Sequence, residues 1–543
     1  MTVAFILVAA LLSACGGPPA PARAGKPGGT LTVAAGQEPD CADWIGSCAG
    51  EPWGYWALEA ETVPKAFVVD QSGNYVPGPV LAGAPDLDAG PPQRVTYHLN
   101  PRARWSDGAP ITSADIRYTW DQIAHGSDIY SDLGYSDIVA VDTPSADTAV
   151  ATFAKPYAAW RDLFGADQYG ILPSHILAGG DRDGLMKDGY GWSGGPWMLE
   201  GGAAGWVKGR SMTLVPNPRY WGAKPLLSRV VFQFNSSPAA QVQAYRQGQA
   251  QIVYTQSDFE VVSQLRGAPG AVVGVYPGIN DEAIWFNAQS SPLDRPAVRK
   301  ALAYAIDRQA LVQALFGRAE PNPRPLQSSE PSSWSSVYTP AFSQYHLNLA
   351  MVNELMTGDG WHKGADGTWT RSGQQASIQL KSTLGNPRRA QMEAMVQSQW
   401  RTAGFQATVQ NESVGALFDD DLPHGNFQAA IYADVFTARD PGQCILWCSS
   451  NIPAPANGYS GQNWTGIADP SLDDTWGKAD RTLDDGDRAA LLKQGQQAVA
   501  RLVPLVPVAT LPDVLVRNSQ VRGPVSDNAV MGPFWNLEDW YFK

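Results

Sequence analysis

The residue types that most often carry chemistry occur here in two overlapping motifs around one serine. Residues 191–195 read Gly-Trp-Ser-Gly-Gly, the spacing of a nucleophile elbow, in which a serine attacks an acyl carbon. Residues 189–194 also match the glycine-rich loop that approaches the pyrophosphate of a dinucleotide. Both motifs require a buried strand before them and a helix after them, whereas charged residues 187–188 precede and Pro196 follows. Because this context is missing, the motifs give only weak support to a secreted serine hydrolase on an α/β fold with Ser193 as nucleophile. We keep that function as an alternative.

Metal-binding patterns are weaker still. None of the six histidines forms a pair with metal-ligand spacing. The acidic run at residues 419–421 lacks the alternating ligands and the closing glutamate of a calcium loop. We therefore expect no catalytic constellation, no metal and no cofactor.

The amino terminus carries a targeting pattern. Residues 5–12 are an apolar run, far shorter than the roughly 20 residues that cross a bilayer as a helix. The run ends in Leu-Ser-Ala-Cys at residues 12–15, which resembles the lipobox of bacterial lipoproteins. We expect removal of residues 1–14, a lipid on Cys15 and a flexible tether at 15–27. No Lys or Arg precedes the apolar run, which favours a natural start upstream of Met1.

The other cysteines agree with an oxidising compartment. Cys41, Cys48, Cys444 and Cys448 are an even number, and four cysteines permit three disulfide connectivities. Their short separations favour Cys41–Cys48 and Cys444–Cys448. A metal site formed by the four cysteines is the competing hypothesis, but the spacings C-x₆-C and C-x₃-C fit no standard zinc pattern.

Composition limits the partners. The 543 residues allow roughly three or four domains, and the net charge of −13 disfavours a nucleic-acid partner. The chain has 20 Trp and 19 Tyr, which either fill several cores or line a ligand cleft. No stretch after the amino terminus is long and apolar enough to span a membrane.

Strand-like and helical patterns alternate along the chain, which predicts a mixed α/β protein. The predicted strands are Thr30–Ala35, Arg94–Leu99, Ala149–Phe153, Met212–Pro216, Val230–Phe234, Ile252–Tyr254, Ile284–Asn287, Ala376–Leu380, Gln406–Gln410, Ala429–Tyr432 and Val506–Thr510. The predicted helices are Ser113–Ile123, Pro238–Gln247, Arg295–Phe316, Pro387–Ala403 and Asp485–Leu502. We expect Asn386 to cap the fourth helix. In the third, we expect Arg299 and Arg308 to pair with nearby acids.

Four strings of residues carry a family resemblance. They read Trp-Ser-Asp-Gly-Ala-Pro-Ile-Thr-Ser-Ala-Asp-Ile at 105–116, Gly-Pro-Trp at 195–197, Asn-Pro-Arg-Tyr-Trp at 217–221, and the run from Phe286-Asn287 to Asp307-Arg308. In order and spacing they resemble the family 5 extracellular solute-binding proteins, the oligopeptide- and dipeptide-binding components of ABC importers. The resemblance covers nearly all of residues 28–543. Most of these residues have structural roles, such as a turn at Asp107-Gly108, so they identify the family and not the binding site.

The resemblance implies an α/β fold of the two-lobed periplasmic-binding-protein type (class II, cluster C), with an extra subdomain inserted in the first lobe. Lobe I would comprise residues 28–60, 195–280 and 506–543, the insert 61–194, and lobe II 281–505. A small peptide or similar polar solute would lie between the lobes. The resemblance further implies a monomer on the outer face of the bacterial cell membrane that delivers its solute to an ABC permease.

Site residues follow from the same resemblance. In oligopeptide-binding relatives an aspartate in one loop pairs with the amino terminus of the ligand. The equivalent loop here is residues 433–441, and anchoring on Pro441 places Thr437 at that position, so Asp434 or Asp440 would have to substitute. A ligand without a free amine is the other interpretation. The further candidates are one amide and a set of cleft aromatics: Asn287, Trp53, Tyr55, Trp56, Trp197, Trp285, Trp447 and Trp464.

Overall fold

The computed structural model describes residues 25–46, 52–166, 169–235, 237–256, 259–318, 320, 322–329, 335, 337–435 and 443–543. Cys15, Cys48, Thr437 and Asp440 lie outside the described residues. No helix within the described ranges is long and apolar enough to cross a membrane.

Fifteen strands build the two larger sheets. In chain order they are β1 (Thr30–Ala35), β2 (Asp86–Asp88), β3 (Arg94–His98), β4 (Ile138–Ser145), β5 (Thr148–Phe153), β6 (Trp197–Leu199), β7 (Trp206–Val207), β8 (Ser211–Pro216), β9 (Arg229–Phe234), β10 (Ile252–Gln256), β11 (Ala271–Phe286), β12 (Ser377–Thr383), β13 (Gln406–Glu412), β14 (Ala429–Val435) and β15 (Leu505–Asn518). Seven short strands form three small sheets: Phe67–Val69, Tyr75–Pro77, His362–Lys363, Trp369–Arg371, Gln374–Gln375, Val521–Arg522 and Tyr541–Phe542.

The main sheet runs through the whole protein. Its order is β13-β12-β14-β11-β15-β10-β1-β9-β8-β6, with β7 paired to β8. β11 and β15 are antiparallel to each other and unusually long, at 16 and 14 residues. Four strands form a separate sheet in the order β2-β3-β5-β4. All eleven predicted strands lie within observed strands, apart from one terminal residue in each of three: Leu99, Asn287 and Ala376.

Nine helices of seven or more residues pack against these sheets within the described residues. They are α1 (Ser113–His125), α2 (Pro238–Arg246), α3 (Phe259–Leu265), α4 (Pro296–Tyr304), α5 (Arg308–Phe316), α6 (Leu349–Gly358), α7 (Pro387–Thr402), α8 (Pro470–Ala479) and α9 (Asp485–Leu502). Shorter helical turns are Pro52–Gly54, Tyr55–Glu59, Ala60–Thr62, Trp160–Asp162, Ser174–Leu177, Arg182–Met186, Gly202–Gly205, Ala416–Asp421, Leu422–His424, Gln443–Trp447, Ser449–Asn451, Pro455–Asn457 and Leu537–Asp539.

One helix prediction is wrong in an instructive way. The predicted helix Arg295–Phe316 is two helices, α4 and α5, separated at Ala305–Asp307. The Asp307 carboxylate accepts a hydrogen bond of 2.9 Å from the backbone N–H of Ala310, which starts a new helix. The apolar period continues across the break because both helices pack on the same core. At α7, by contrast, Asn386 accepts the backbone N–H of Arg389 as predicted.

The expected acid partners of Arg299 and Arg308 are also wrong. The Arg299 guanidinium donates to the carbonyl oxygens of Leu293 and Leu502. Arg308 donates to several carbonyls, including that of Pro507 in β15 at 3.1 Å. Both side chains are almost fully buried, and this burial lowers the pKa of each to about 10. Carbonyl oxygens at loop ends satisfy these donors without a second buried charge.

The signature segment at residues 105–116 is structural. The Asp115 carboxylate accepts the backbone N–H of Thr112 at 2.8 Å and the indole N–H of Trp105 at 3.3 Å. It also accepts the backbone N–H and the hydroxyl of Ser174. One buried acid thereby fixes the start of α1, the turn before it and a distant loop.

Two large hydrophobic cores divide the molecule. The first gathers residues from 31 to 254 and from 515 to 540, and the second gathers residues from 283 to 511. We call the parts around them the first half and the second half. β11 and β15 pass from one half to the other, and the predicted lobe boundaries at 280/281 and 505/506 fall within these two strands. The exact domain boundaries stay a prediction.

Candidate functional site

The carboxyl ends of two groups of parallel strands meet at one place. β1, β9 and β10 run parallel in the first half, and β12, β13 and β14 run parallel in the second. β10 ends at Gln256, opposite Asp513, and β14 ends at Val435, opposite Asn280. Both positions lie where β11 and β15 pass between the halves. Because ligands of open α/β sheets bind outside the carboxyl ends of the strands, this junction is the candidate site.

We call residues 276–281 of β11 and 510–513 of β15 the crossing segments. The ladder between them is irregular, because Tyr276 pairs with Asp513 but the next pair is Asn280 with Leu511. Gly278 lies in this irregularity, and a Cβ there would stand 2.2 Å from the carbonyl oxygen of Leu511. Only glycine allows the two backbones to approach so closely.

A pair of buried carboxyl groups lies beside the crossing segments. Asp513 and Asp527 are each 6% exposed, and their side chains lie against each other. Burial, with only part of its effect offset by neighbouring groups, raises the pKa of Asp513 to about 6. Burial and the Asp513 charge raise the pKa of Asp527 well above its usual value. The Tyr254 hydroxyl, from β10, faces Asp513. Two carboxyls in contact cannot both stay ionised at low cost.

Aromatic rings of the first half surround this pair. Tyr254 makes edge contacts with Trp53 and Trp56, at centroid distances of 5.8 and 5.2 Å. Phe534, from the carboxyl-terminal segment, completes the group. Gly532 presses on the Trp56 indole with a φ of +83°, which a side chain would not tolerate. Trp56 is the one member of this group that is half-buried, and the other three are buried.

A second aromatic group lies in the other half. Trp285 stacks on Tyr432 at 4.9 Å and on Trp447 at 6.1 Å, and Trp464 contacts Tyr432 at 5.8 Å. Asp434 lies two residues beyond Tyr432, opposite Asp281 in the ladder. Burial is the main reason that the pKa of Tyr432 is raised, and the nearby Asp434 charge adds to it. The structure thus brings three of the predicted aromatics together, next to Asp434.

Charged side chains join the second half to the crossing. Glu282, fully buried in β11, accepts hydrogen bonds from Arg388 and from Nε of Arg389, the latter at 2.6 Å. Both arginines lie in the first turn of α7, just after β12. Burial lowers the pKa of Arg388, and the Glu282 charge opposes that effect. One acid between two arginines leaves a net positive charge at this strand end.

A cavity of about 1080 Å³ shows that the halves are not fully packed together at the crossing. Its lining includes Pro277 and Gly278 of β11 and Thr510 and Pro512 of β15. Since side chains alternate along a strand, Asp513 points away from the face that Thr510 and Pro512 give to this cavity. The carboxyl pair and the cavity therefore flank the crossing on opposite sides.

Six predicted site residues lie in the protein interior, and three of them, Trp53, Trp285 and Trp447, are only 1–3% exposed within the aromatic groups already described. The other three have these surroundings. Trp197 is fully buried in the first core. The Asn287 amide donates to the carbonyls of Gly425 and Phe427, and its oxygen accepts the N–H of Gln289. The Tyr55 hydroxyl donates to the carbonyl of Ala166 at 2.7 Å. These contacts hold loops in place and leave little surface for a ligand.

The cysteines follow the predicted pattern as far as the structure describes them. Cys444 and Cys448 form a disulfide across a Cα–Cα distance of 4.6 Å, at one end of the second aromatic group. Cys41 is also a disulfide cysteine. Its predicted partner, Cys48, is outside the described residues.

The serine-hydrolase alternative finds no support. Ser193 is fully buried, and its hydroxyl donates to the carbonyl of Trp197 at 2.6 Å and accepts the N–H of Gly195. A nucleophile must be reachable and must contact a base, whereas these partners are backbone groups. The motif at 191–195 is a buried turn.

One group of three acids lies close enough to hold a metal ion within the part of the chain that is described. The ligand atoms of Asp43, Asp128 and Asp183 are all within 4.8 Å of one another. Arg182 donates to Asp43 at 3.0 and 3.2 Å and also to Asp128. Arg182 pairs with Asp43 and Asp128, and Lys187 pairs with Asp183 at 3.4 Å, so each acid already has a cationic partner and we assign no metal to the cluster.

The sequence analysis missed the carboxyl pair and the Glu282–Arg388–Arg389 group. A signal for Asp513 was present, because it is the one acid in the apolar run from 505 to 516. Asp527 lies in a polar loop and carries no such signal. Its approach to Asp513 depends on the path of the carboxyl-terminal segment.

Two cores, two long strands that join them and strand ends that converge between them define a two-lobed solute-binding protein. Residues 79–452 match the family of bacterial extracellular solute-binding proteins, family 5 (middle part). The chain belongs to this family, whose members are binding proteins and not enzymes. The predictions of the family and of a two-lobed α/β fold are thereby confirmed.

Two mycobacterial relatives align with different shares of the chain. The oligopeptide-binding protein OppA of Mycobacterium tuberculosis is 26% identical over 452 residues, which are 82% of this chain and 73% of that protein. The probable monoacyl phosphatidylinositol tetramannoside-binding protein LpqW of the same organism is 30% identical over 223 residues. That match covers 39% of this chain and only 34% of LpqW.

Solved structures share the fold. The periplasmic EDTA-binding protein EppA superposes with a TM-score of 0.85 and 22% identity, covering 96% of this chain and 98% of that one. The oligopeptide-binding protein AppA of Bacillus subtilis, in complex with a nonapeptide, gives 0.76 and 17%, covering 96% and 100%. NikA of Brucella suis, in complex with Fe(III)-EDTA, gives 0.80 and 16%, covering 95% and 100%.

Proposed function

We propose that the protein captures a peptide or a similar polar solute between its two halves and delivers it to an ABC import permease. The observation that carries the proposal is the convergence of both sets of strand ends on the crossing segments. A solute bound there touches both halves, so its binding energy favours the state in which they are close.

We place the solute on the side of the crossing that carries Asp513. Trp56, which is only half-buried, offers an aromatic wall there, with the buried Tyr254 in edge contact behind it. Such rings bind peptide and other polar solutes by stacking on their flat faces. The net positive charge of the Glu282–Arg388–Arg389 group suits a carboxylate on the solute. Asp434 stands opposite Asp281, which in turn stands opposite Thr510, so Asp434 belongs to the cavity face and is proposed as a separate polar contact. Thr437, the other proposed contact, is outside the described residues. The name of OppA and the nonapeptide in the AppA structure support a peptide over other polar solutes.

The location follows from the amino terminus and from the family. We propose that residues 1–14 are removed and that a lipid on Cys15 anchors a monomer to the outer face of the cell membrane. Residues 15–27, rich in Pro, Ala and Gly, would then be the tether that joins the lipid to the rest of the protein.

A peptide mixture tests the proposal. Purified protein is incubated with mixed-sequence peptides of two to nine residues, and native mass spectrometry identifies those retained. We expect retention by the parent protein and strong loss in Trp56→Leu, which removes an aromatic wall. Ser343→Trp, which adds bulk at the cavity on the opposite side of the crossing, serves as the matched control and should retain the same peptides. A parent protein that retains no peptide would refute the peptide assignment, and loss confined to Ser343→Trp would move the solute into the cavity.

A further inference from the structure

The Asp513–Asp527 pair lacks the partners that buried carboxylates normally have. Among the described residues, neither carboxylate oxygen of Asp527 has a hydrogen bond of good geometry, and the donors nearest the pair are the backbone N–H of Asn528 and the hydroxyl of Tyr254, both uncharged. No ion pair found in those residues includes Asp513 or Asp527, although other buried acids, such as Glu282, are paired with arginine. Buried carboxyls of this kind require a proton or a cation between them, because an unpaired buried charge costs several kcal/mol.

The position of the pair is fixed by neighbours from several elements. The side-chain amide of Asn528 donates to the carbonyl of Val69 at 2.9 Å, and its oxygen accepts the backbone N–H groups of Val530 and Met531. The Tyr276 hydroxyl, from β11, donates to the carbonyl of Val525. These bonds hold Asp527 against Asp513 from both sides. The fold itself therefore fixes Asp527 beside Asp513.

The other charges around the pair do not fill this role. Tyr254 of β10 and Tyr276 of β11 face it, and burial raises the pKa of both phenols, so both are neutral at pH 7. Arg517, further along β15, points its guanidinium to the carbonyl of Val521 at 3.0 Å. Asp434 in the other half is only half-buried and already has an interaction within the protein.

We propose that Asp513 and Asp527 together bind the ammonium group of the solute, which displaces the single proton that the two carboxyls share in the empty protein. The ammonium supplies three N–H donors and one positive charge, which the two carboxylates lack. The displaced proton passes to the buffer, and the pair keeps the same net charge of −1, because the ammonium replaces the proton one for one. The Trp56 and Tyr254 rings beside the pair add the attraction of an aromatic face for a cation.

This inference rests on the proposed function, since it names the group of the solute that the first half recognises. It also explains why Thr437 can stand where the oligopeptide-binding relatives have an aspartate. An acid in that second-half loop is unnecessary if the first half holds the amine.

Proton release upon binding is the direct test. Calorimetric titrations with the retained peptides are made in two buffers of different ionisation enthalpy, at pH 7. Release of about one proton per peptide is expected from the parent protein, and the release should fall as the pH is raised. The same peptides with an acetylated amino terminus should bind roughly 10- to 100-fold more weakly and release no proton.

Substitutions test whether the released proton comes from the Asp513–Asp527 pair. In Asp527→Asn the amide donates to Asp513 in place of the shared proton, so the empty protein should fold with an undiminished melting temperature. That variant should lose roughly 10- to 100-fold in affinity for free peptides and should release no proton. Asp43→Asn removes another buried carboxyl whose pKa burial raises to about 6, in the Arg182 cluster away from the crossing, and should leave both quantities unchanged.

The outcomes separate the inference from the function on which it rests. Peptides that bind equally well in free and acetylated form, or without proton release, overturn the inference and leave the binding function intact. Equal affinity in the parent and Asp527→Asn also overturns it. A protein that binds neither form refutes the proposed function itself.

Discussion

The carboxylate of Glu282 accepts a 2.6 Å hydrogen bond from Nε of Arg389, which links the strand that joins both halves to the first turn of α7. Arg388 binds the second oxygen of the same carboxylate, and Arg389 also donates to Thr383 Oγ1 at 2.9 Å. The end of β12, the start of α7 and the crossing strand are therefore held by one buried ion group.

Removing the acid from this group should be costly. Glu282→Ala leaves two largely buried guanidinium groups side by side, and we expect a loss of about 3 kcal/mol in the free energy of unfolding. Urea denaturation measures it. Asp474→Ala, which breaks the exposed Asp474–Lys478 pair, is the matched control and should change little. Equal effects of both variants would contradict the structural importance of the Glu282 group.

The sequence predicts the helices and strands better than it predicts the site, and this difference has a physical cause. Local patterns predict elements well: α9 begins and ends where its capping residue and its apolar period place it, at Asp485 and Leu502. The period fails at residues 305–307, because an aspartate cap interrupts the backbone while the apolar face continues. The site is less predictable, since the contacts of Trp56 with Tyr254 and of Asp513 with Asp527 depend on sheet order and on a terminal segment. No local pattern encodes either.

The carboxyl pair should make stability depend on pH. The folded-state pKa of Asp513, about 6, lies above the ordinary value of 3.8, so the folded protein holds this proton more tightly than the unfolded chain does. Its stabilising contribution is therefore complete below about pH 4 and is lost as the pH rises through about 6. Asp43, whose pKa burial also raises to about 6, acts in the same direction.

We accordingly expect the urea midpoint to rise as the pH is lowered from 7 to 5. Asp513→Asn should flatten this rise, since its amide does not titrate. A midpoint that falls between pH 7 and 5 in the parent protein would show that the pair is ionised in the folded state.

The two short disulfides are a separate prediction. Cys41–Cys48 and Cys444–Cys448 should each add about 2 kcal/mol by restricting the unfolded chain. Peptide mapping under non-reducing conditions should recover each pair within one fragment. Cross-linked fragments that join the 41–48 region to the 444–448 region would contradict this connectivity.

Lipid attachment depends on a single residue. In a bacterial host, the parent protein should incorporate a clickable fatty acid and partition with membranes, whereas Cys15→Ala should do neither. Cys41→Ala, which removes a cysteine outside the Leu-Ser-Ala-Cys string, is the control and should still be labelled. Labelling of Cys15→Ala would rule out this anchor.

Closure of the two halves is the last prediction. Because β11 and β15 are the only strands of the main sheet, within the described residues, that contribute to both cores, relative movement of the halves must bend their crossing segments. A solute shifts the equilibrium only if it binds the closed state more tightly than the open one. The retained peptides should therefore reduce the radius of gyration in X-ray scattering and change the tryptophan fluorescence.

Two tryptophans should report the closure by fluorescence. Trp464 is half-buried beside Tyr432, and Trp285 stacks on the same ring, so Trp464→Phe should diminish the change. Trp540→Phe, in the core of the first half, should leave the peptide-dependent signal intact. A tightly bound peptide that leaves the radius of gyration unchanged would mean that the halves do not move, and the crossing would then be a rigid joint.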